Sequence, residues 1–232
     1  MPTLKNTFAR LNGFDASALQ STASRLRKIA FGINSEEQVL GVDVEGNRLS
    51  AEIAVRRQRE VPVFNELKKT LVSEKRYEFR SLLFSLDAGA NIASTPGARR
   101  DLTLFAELLK RSGAGGVEIG EIKVDLIAWA REFIKIYETA QLGQLVLDRF
   151  YAEPKLTGRF TAKTVDNRID LASVEEAPGH LKSIRFSFYH YDARRSVEVR
   201  DDGVLSAGSS DDEELEHFFA EMAKLYLKHA AG

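Results

Sequence analysis

The residues best suited to chemistry lie on an alternating run at 181–191 and the stretch that follows it. Ile184, Phe186 and Phe188 fall on one side of an extended chain, with Arg185, Ser187, Tyr189 and Tyr191 on the other. Arginine presents a planar fork to phosphate oxygens, and tyrosine offers a ring on which a base can stack. A face that interleaves the two suits nucleic acid, either DNA or RNA. The contact set expected on the open face of a sheet is Arg56, Arg185, Tyr189, Arg194 and Arg200. Further basic groups cluster at Arg57 and Arg59, at Lys75, Arg76 and Arg80, at Arg99 and Arg100, and at Arg195. Glu52 and Glu198 alternate into the same class of positions as Arg56 and Arg200, and mixed charge of that kind is also what an ordinary solvated sheet carries.

A second constellation is hydrolytic. Glu121-Ile122-Lys123 on an extended segment ahead of a helix is similar to the Glu-x-Lys of restriction-type nucleases, with Asp87 at a strand end as the upstream carboxylate. Two acids holding Mg²⁺ beside a lysine would activate a water for phosphodiester cleavage. The same spacing recurs at Glu66/Lys68 and Glu153/Lys155, so it discriminates poorly, and an exposed strand edge is the better account of Glu121 and Lys123. His180, His190, His217 and His229 have no metal-ligand spacing, and Glu213, His217 and Glu221 form a helical stripe, so no metal site is expected. Gly113–Gly116 lacks the Gly-Lys-Ser/Thr of a phosphate loop, no Gly-x-Ser-x-Gly elbow occurs, and no cofactor is implied.

These residues need elements to position them. Asp15 predicts a helix N-cap, with Leu19, Leu26, Ile29 and Ala30 at helical spacing and Gly32 closing the pattern. Alternation over 38–45 and 48–57 about Gly46-Asn47 predicts a hairpin. Between 61 and 75, Pro62 argues against a central strand, and Leu67, Leu71 and Val72 suit a short helix. A strand over 77–86, a turn at 87–89, a strand over 91–95 and a helix over 101–111 follow. The chain then reads as extended over 117–123 and helical over 125–142, with Leu126, Trp129, Phe133, Ile136 and Tyr137 on one face. Strands are expected over 156–164, 168–174, 181–191, 196–200 and 204–207. A last helix begins at Ser210, which with Glu213 reads as a capping box, and its apolar face is Leu215, Phe218, Phe219, Met222, Leu225 and Tyr226.

The chain also repeats itself. At a constant offset of 114 residues, Tyr77, Arg80, Asp87, Gly89, Ala93, Phe105, Ala106, Glu107 and Lys110 recur as Tyr191, Arg194, Asp201, Gly203, Ala207, Phe219, Ala220, Glu221 and Lys224. Asn47-Arg48-Leu49 is echoed by Asn167-Arg168-Ile169. Two related α+β halves are therefore expected at 1–112 and 117–232, joined by a Gly-rich junction at 113–116.

Composition bounds the rest. With 232 residues, 44% apolar and 29% charged, the chain can build a full core and is not a disordered one. Lacking cysteine, it has no disulfide, thiolate metal site or thiol nucleophile, which fits a cytoplasmic location. No secretory apolar region opens the chain and no run approaches the roughly 18 apolar residues of a membrane span, so no membrane partner is expected. At a formal charge of -1, attraction to polyanions has to come from a local basic face.

Residues 197–208, Val-Glu-Val-Arg-Asp-Asp-Gly-Val-Leu-Ser-Ala-Gly, followed by the acidic start at Ser210, resemble a stretch of the TATA-box-binding-protein fold. There a strand, an x-Gly-x turn, a strand ending in a small residue plus Gly and a Ser-x-Glu-Glu helix start occupy this place. The order of elements across nearly the whole chain is similar too. The resemblance implies a saddle, two related halves each of a curved antiparallel sheet with helices packed on one face. It stops at the fold, because these halves are longer and carry no phenylalanine wedge pair. The resulting expectation is a non-enzymatic binding module that contacts nucleic acid, or serves in a nucleic-acid-handling complex, through the open sheet face. Its alternatives are a protein-interaction or structural subunit that docks a partner through the helices, and a Mg²⁺-dependent nuclease using Asp87, Glu121 and Lys123.

Overall fold

A computed structural model describes residues 1–31, 36–153, 156–163, 180–190 and 192–231. The expected strand at 168–174, the Asn167-Arg168-Ile169 echo, Gly32, Thr164 and Tyr191 lie outside the described residues. The architecture is α+β with mostly antiparallel strands, and the chain divides into two compact units. Among the described residues no helix is long and apolar enough to cross a membrane.

The unit of residues 11–119 begins at Asp15, whose carboxylate accepts the Ser17 N–H and caps a 3-10 turn, Ala16–Ala18. Helix α1 (Leu19–Leu26) follows and buries Leu19, Thr22, Ala23 and Leu26. It stops short of the expected Ile29 and Ala30. Strands β2 (Glu37–Glu45), β3 (Arg48–Asn65), β4 (Thr70–Asp87) and β5 (Ile92–Thr95) are ordered β2-β3-β4-β5, and α2 (Arg99–Arg111) closes the unit. Gly46 at φ 56 makes the first hairpin turn tight enough for Glu45 to pair with Arg48. Leu49, Ala51, Ile53 and Val55 of β3 and Leu82, Phe84 and Leu86 of β4 form the buried face, and Phe105 of α2 stacks on Phe84 at 4.7 Å. Each of the Leu, Ile, Val and Phe side chains contributes about 1.5–3 kcal/mol of burial. Asp101 fixes the start of α2: its Oδ2 accepts the Ala98 N–H at 2.8 Å and pairs with Arg80 at 3.0 Å.

The segment 61–75 is not helical. β3 and β4 continue as a ladder to Asn65↔Thr70, with Pro62 opposite Ser73, and Lys69 at φ 49 completes the turn. Beyond Val55, β2 no longer pairs with β3, and β5 pairs with β4 only from Ser85 to Asp87. Among the described residues both strands of this ribbon are edges, where proline is tolerated. Leu67 and Leu71, helically spaced in sequence, sit at the turn and on the returning strand, and β-branched Val61, Val63 and Val72 favour extension.

The other unit comprises residues 1–10 and 120–232. Its elements include β1 (Thr3–Asn12), whose first residues belong to it, and, past β6 (Glu118–Gly120), strand β7 (Lys123–Val124) and helix α3 (Leu126–Ile136). Strands β8 (Gln141–Glu153), β9 (Leu156–Lys163), β10 (His180–His190), β11 (Ala193–Arg200) and β12 (Val204–Ser209) follow, then helix α4 (Leu215–Lys228) and β13 (Ala230–Ala231), which pairs with β7. The strand order is β9-β8-β10-β11-β12-β1. β1 was not foreseen from sequence; it pairs from Thr3↔Gly208 to Thr7↔Val204.

Two helix boundaries also differ from expectation. Asp125 caps α3 by accepting the Ile127 and Ala128 N–H groups, but the helix ends at Ile136 rather than at Leu142. Gln141 and Leu142 instead pair with Ser187 and Phe186, because a sheet position buries Leu142 against the core. The capping box at Ser210 does not form. Ser210 Oγ accepts the Arg194 N–H at 2.9 Å, and α4 starts at Leu215.

The core of this unit is aromatic. Trp129 and Phe133 of α3 stack at 4.8 Å, and Phe133 also meets Phe186 at 5.0 Å and Phe188 at 5.5 Å. Phe218 of α4 packs edge-on to Phe188, and Tyr226 meets Phe8 of β1 at 5.9 Å. Gly203, at φ 97 between β11 and β12, lies where a Cβ would come within 2.3 Å of the Phe8 carbonyl oxygen, so β1 can close on this turn only over glycine.

Candidate nucleic-acid interface

β10 and β11 carry most of the expected contact residues, and their alternation decides which way each points. Ile184, Phe186 and Phe188 are buried under the helices, leaving Arg185, Ser187 and Tyr189 on the opposite face. On β11, Val197 and Val199 are buried, and Arg194, Ser196 and Glu198 share the open side. Register then sets neighbours: Tyr189 lies opposite Arg194, Ser187 opposite Ser196, and Arg185 opposite Glu198. Ser206 and Lys5 extend the last row onto β12 and β1.

Together these residues shape two adjoining depressions. Arg185, Ser187, Arg194, Ser196 and Ser210, rimmed by Asp212, line an open one of about 510 Å³. Tyr189, Ser187 and Arg194, with Thr139 and Gln141, line another of about 460 Å³. Tyr189 is 67% exposed, a large ring held on a strand with nothing stacked on it among the described residues. Two contacts fix the local backbone. Ser210 clamps Arg194 by accepting its N–H and donating to its carbonyl, both at 2.9 Å, and Thr139 donates to the Tyr189 carbonyl at 3.2 Å. Neither the Arg185 nor the Arg194 guanidinium forms an ion pair with a described residue. Two uncommitted cations beside an exposed ring and several hydroxyls are competent to hold phosphate and stack a base.

Arg200 is differently placed. Its Nε and Nη2 bind Asp202 at 3.0 and 2.6 Å, and its carbonyl accepts the Tyr226 hydroxyl at 2.5 Å. Lys182 completes the cluster at 2.6 Å from Asp201 and 3.4 Å from Asp202, and His180 lies 2.7 Å from Asp201. The Asp-Asp-Gly turn is thus a charged knot joining β10, β11 and α4, and the Arg200 charge is spent within it. Burial pushes the Asp202 carboxyl up, but the Arg200 hydrogen bonds and the charges of Arg200 and Lys182 outweigh it and hold the group below the ordinary range. Burial likewise lowers Lys182, and Asp201 and Asp202 more than reverse it. Because the folded value of Asp202 is depressed, its stabilisation is fully present above the unfolded value near pH 3.9 and is lost as pH falls through the native one. Asp202→Asn should therefore lower the Tm at neutral pH, and a pH series of thermal melts should show the gap to the parent protein closing below about pH 4.

Arg56 belongs to the other unit. Its guanidinium lies between the rings of Phe31, at 5.3 Å, and Tyr77, at 5.0 Å, at the root of the β3–β4 ribbon. Arg195, read from sequence as part of a surface basic cluster, is buried. It pairs with Glu214 and lies 4.8 Å over the Phe218 ring. Its odd position on β11 puts it among the core residues, one step out of phase with Arg194.

Of the hydrolytic residues, Asp87 belongs to one compact unit and Glu121 and Lys123 to the other. Asp87 Oδ1 accepts the Ala90 N–H at 3.0 Å and stabilises the β4–β5 turn. Lys123 lies on β7, opposite Ala231, and Glu121 precedes it in the other unit. Among the described residues no three His, Asp or Glu side chains are grouped to hold a metal ion.

Sequence reading missed the ribbon. The signal was present as two basic clusters, Arg56/Arg57/Arg59 and Lys75/Arg76/Arg80, placed symmetrically about residues 66–69.

No family model and no curated protein matches this chain.

Proposed function

We propose that this protein is a non-enzymatic module that binds single-stranded nucleic acid through the open face of β10 and β11. The observation that carries the reading is the juxtaposition of exposed Tyr189 with the uncommitted guanidinia of Arg194 and Arg185 across a floor of Ser187 and Ser196. Phosphates meet the two arginines, the hydroxyls accept and donate around the sugar, and a base stacks on Tyr189. Arg200 serves this surface by anchoring the turn behind it, and Arg56 lies outside it.

The fold reading that accompanies this is two related halves of a TATA-box-binding-protein-like saddle. What supports kinship of the halves is the turn after a long strand in each, at Asp87–Gly89 and Asp201–Gly203. Each is followed by a short strand with a buried alanine, Ala93 or Ala207, and then by a helix.

Fluorescence anisotropy with a labelled single-stranded oligonucleotide at low salt tests the function. Tyr189→Ala should cost about 1–3 kcal/mol of affinity, the value of one stacked base. Arg185→Ala and Arg194→Ala should each weaken binding and lower the slope of log K against log salt by about 0.7. A double arginine variant that binds as tightly as the parent, with the same slope, removes the proposal.

A further inference from the structure

Past Val55 the ribbon of β3 and β4 pairs with no other described strand, and its charge differs from that of the rest of the chain. From Arg57↔Glu78 to Asn65↔Thr70 it runs for nine residue pairs without a third strand among the described residues. At 3.3 Å per residue that is about 30 Å of two-stranded arm. Residues 56–80 contain eight Lys or Arg and four Glu, a net charge of +4 in a chain whose total is -1. The arm is therefore a cationic projection from an otherwise acidic protein.

Its charges are available. Arg59–Glu78 and Arg76–Glu74 are exposed pairs that bind weakly. Arg57, Lys68, Lys69 and Lys75 form no ion pair among the described residues. Register places Arg57 on one face of the ribbon and Lys75 on the other, with Lys68 and Lys69 at the turn. Cations thus surround the arm. The tip is also apolar: Leu67 is 97% exposed, and Phe64 and Leu71, a cross-strand pair, are exposed beside it. Cations along the shaft and apolar groups at the end are the two components of a groove-inserting arm. The shaft neutralises phosphates on both sides, and the tip partly unstacks a base step.

We propose that the β3–β4 arm grips duplex DNA, the ribbon lying in a groove and the Phe64/Leu67/Leu71 tip wedging at a base step. A two-stranded ribbon fits the roughly 12 Å wide major groove of B-form DNA, whereas the deep, narrow major groove of A-form RNA excludes it. Charge decides against a second copy of the arm, since two arms of net +4 repel. This site is independent of the single-strand reading for β10 and β11.

The test is anisotropy of the 232-residue chain with a labelled DNA duplex, an RNA duplex and a single strand. DNA duplex affinity should exceed that for RNA duplex, and raising salt from about 50 to 200 mM should weaken it roughly 100-fold, as four phosphate contacts require. The variant R57S/K68S/K69S/K75S should lose most of that affinity and salt slope while its thermal melt and its single-strand binding stay unchanged. F64S/L67S/L71S should retain the slope and lose DNA bending measured by end-to-end energy transfer. Absence of duplex binding at low salt, or a charge variant that binds duplex as well as the parent, overturns the proposal. So does a parent dimer that the tip variant converts to monomer, which would make the arm a self-association device. Loss of single-strand binding in Tyr189→Ala with duplex binding intact separates this site from the one above.

Discussion

Phe133→Ala should cost about 3–5 kcal/mol, the range for deleting a fully buried aromatic ring. Phe133 is the hub of its unit. Its ring contacts Trp129 at 4.8 Å, Phe186 at 5.0 Å, Tyr137 at 5.0 Å and Phe188 at 5.5 Å. Those partners come from α3 itself, from the end of α3, and from a central strand. Truncation therefore opens a void bordered by four rings that cannot all collapse into it, which puts the cost high in its range. Urea denaturation followed by tryptophan emission reads this directly, because Trp129 is the only tryptophan and lies against the deleted ring. The midpoint should fall while the slope m is kept. A consequence for function follows, since Phe186 and Phe188 alternate with Arg185, Ser187 and Tyr189. Under the proposed function, a loosened core should widen the distribution of positions available to Tyr189 and weaken single-strand binding even in conditions where the protein remains folded. A cost under about 1.5 kcal/mol would mean that the ring cluster is less tightly packed than these distances indicate.

Glu214→Ala should be nearly as damaging, at about 3 kcal/mol, and more damaging than removing its partner. The Arg195 side chain is 4% exposed, its Nε has no hydrogen-bond partner among the described residues, and Phe218 covers its face. Removing Glu214 strands that charge in the interior. Arg195→Met removes the charge itself and leaves a flexible apolar chain of similar length over Phe218, a change that is often neutral or stabilising. Glu214, being half exposed, is readily solvated when left alone. The order of the two single variants in urea melts is therefore the decisive measurement. A larger loss from Arg195→Met than from Glu214→Ala would show that the ion pair is a net source of stability here. The double variant should restore most of what Glu214→Ala loses.

The two experiments bear on the same question of how the open face is held. Arg194 and Arg195 are adjacent in sequence and opposite in role. One projects from the sheet beside Tyr189, and the other anchors α4 beneath it through Glu214. The clamp between Ser210 and the Arg194 backbone lies between them and explains why the serine is absent from the cap of α4.

Much of this was legible from local chemistry. Period-two alternation in 181–190 and 48–57 identified the strands and which side chains turn inward, because a pleated backbone gives no other choice. Gly46-Asn47 and the Asp15 and Asp125 caps act within a few residues and were readable for the same reason. The α+β class followed from those elements in order. Long-range packing settled what local pattern left open. Helical spacing at Leu67 and Leu71 gave way to a ladder partner on the opposing strand, and Ser210 gave way to the Arg194 backbone as the better partner. Leu142 left its helix for a sheet position, and β1 emerged only by pairing with β12 some two hundred residues later. Charge obeyed the same division. A sequence shows which residues are cationic, but whether a cation is spent depends on partners brought from elsewhere in the chain. Arg200 meets Asp202, Arg195 meets Glu214, and Arg56 meets Phe31 and Tyr77, whereas Arg185 and Arg194 form no ion pair with a described residue. Alternation named the face, and tertiary contacts decided which of its charges remain free to bind, because pairing energies depend on distance in space and not on separation along the chain.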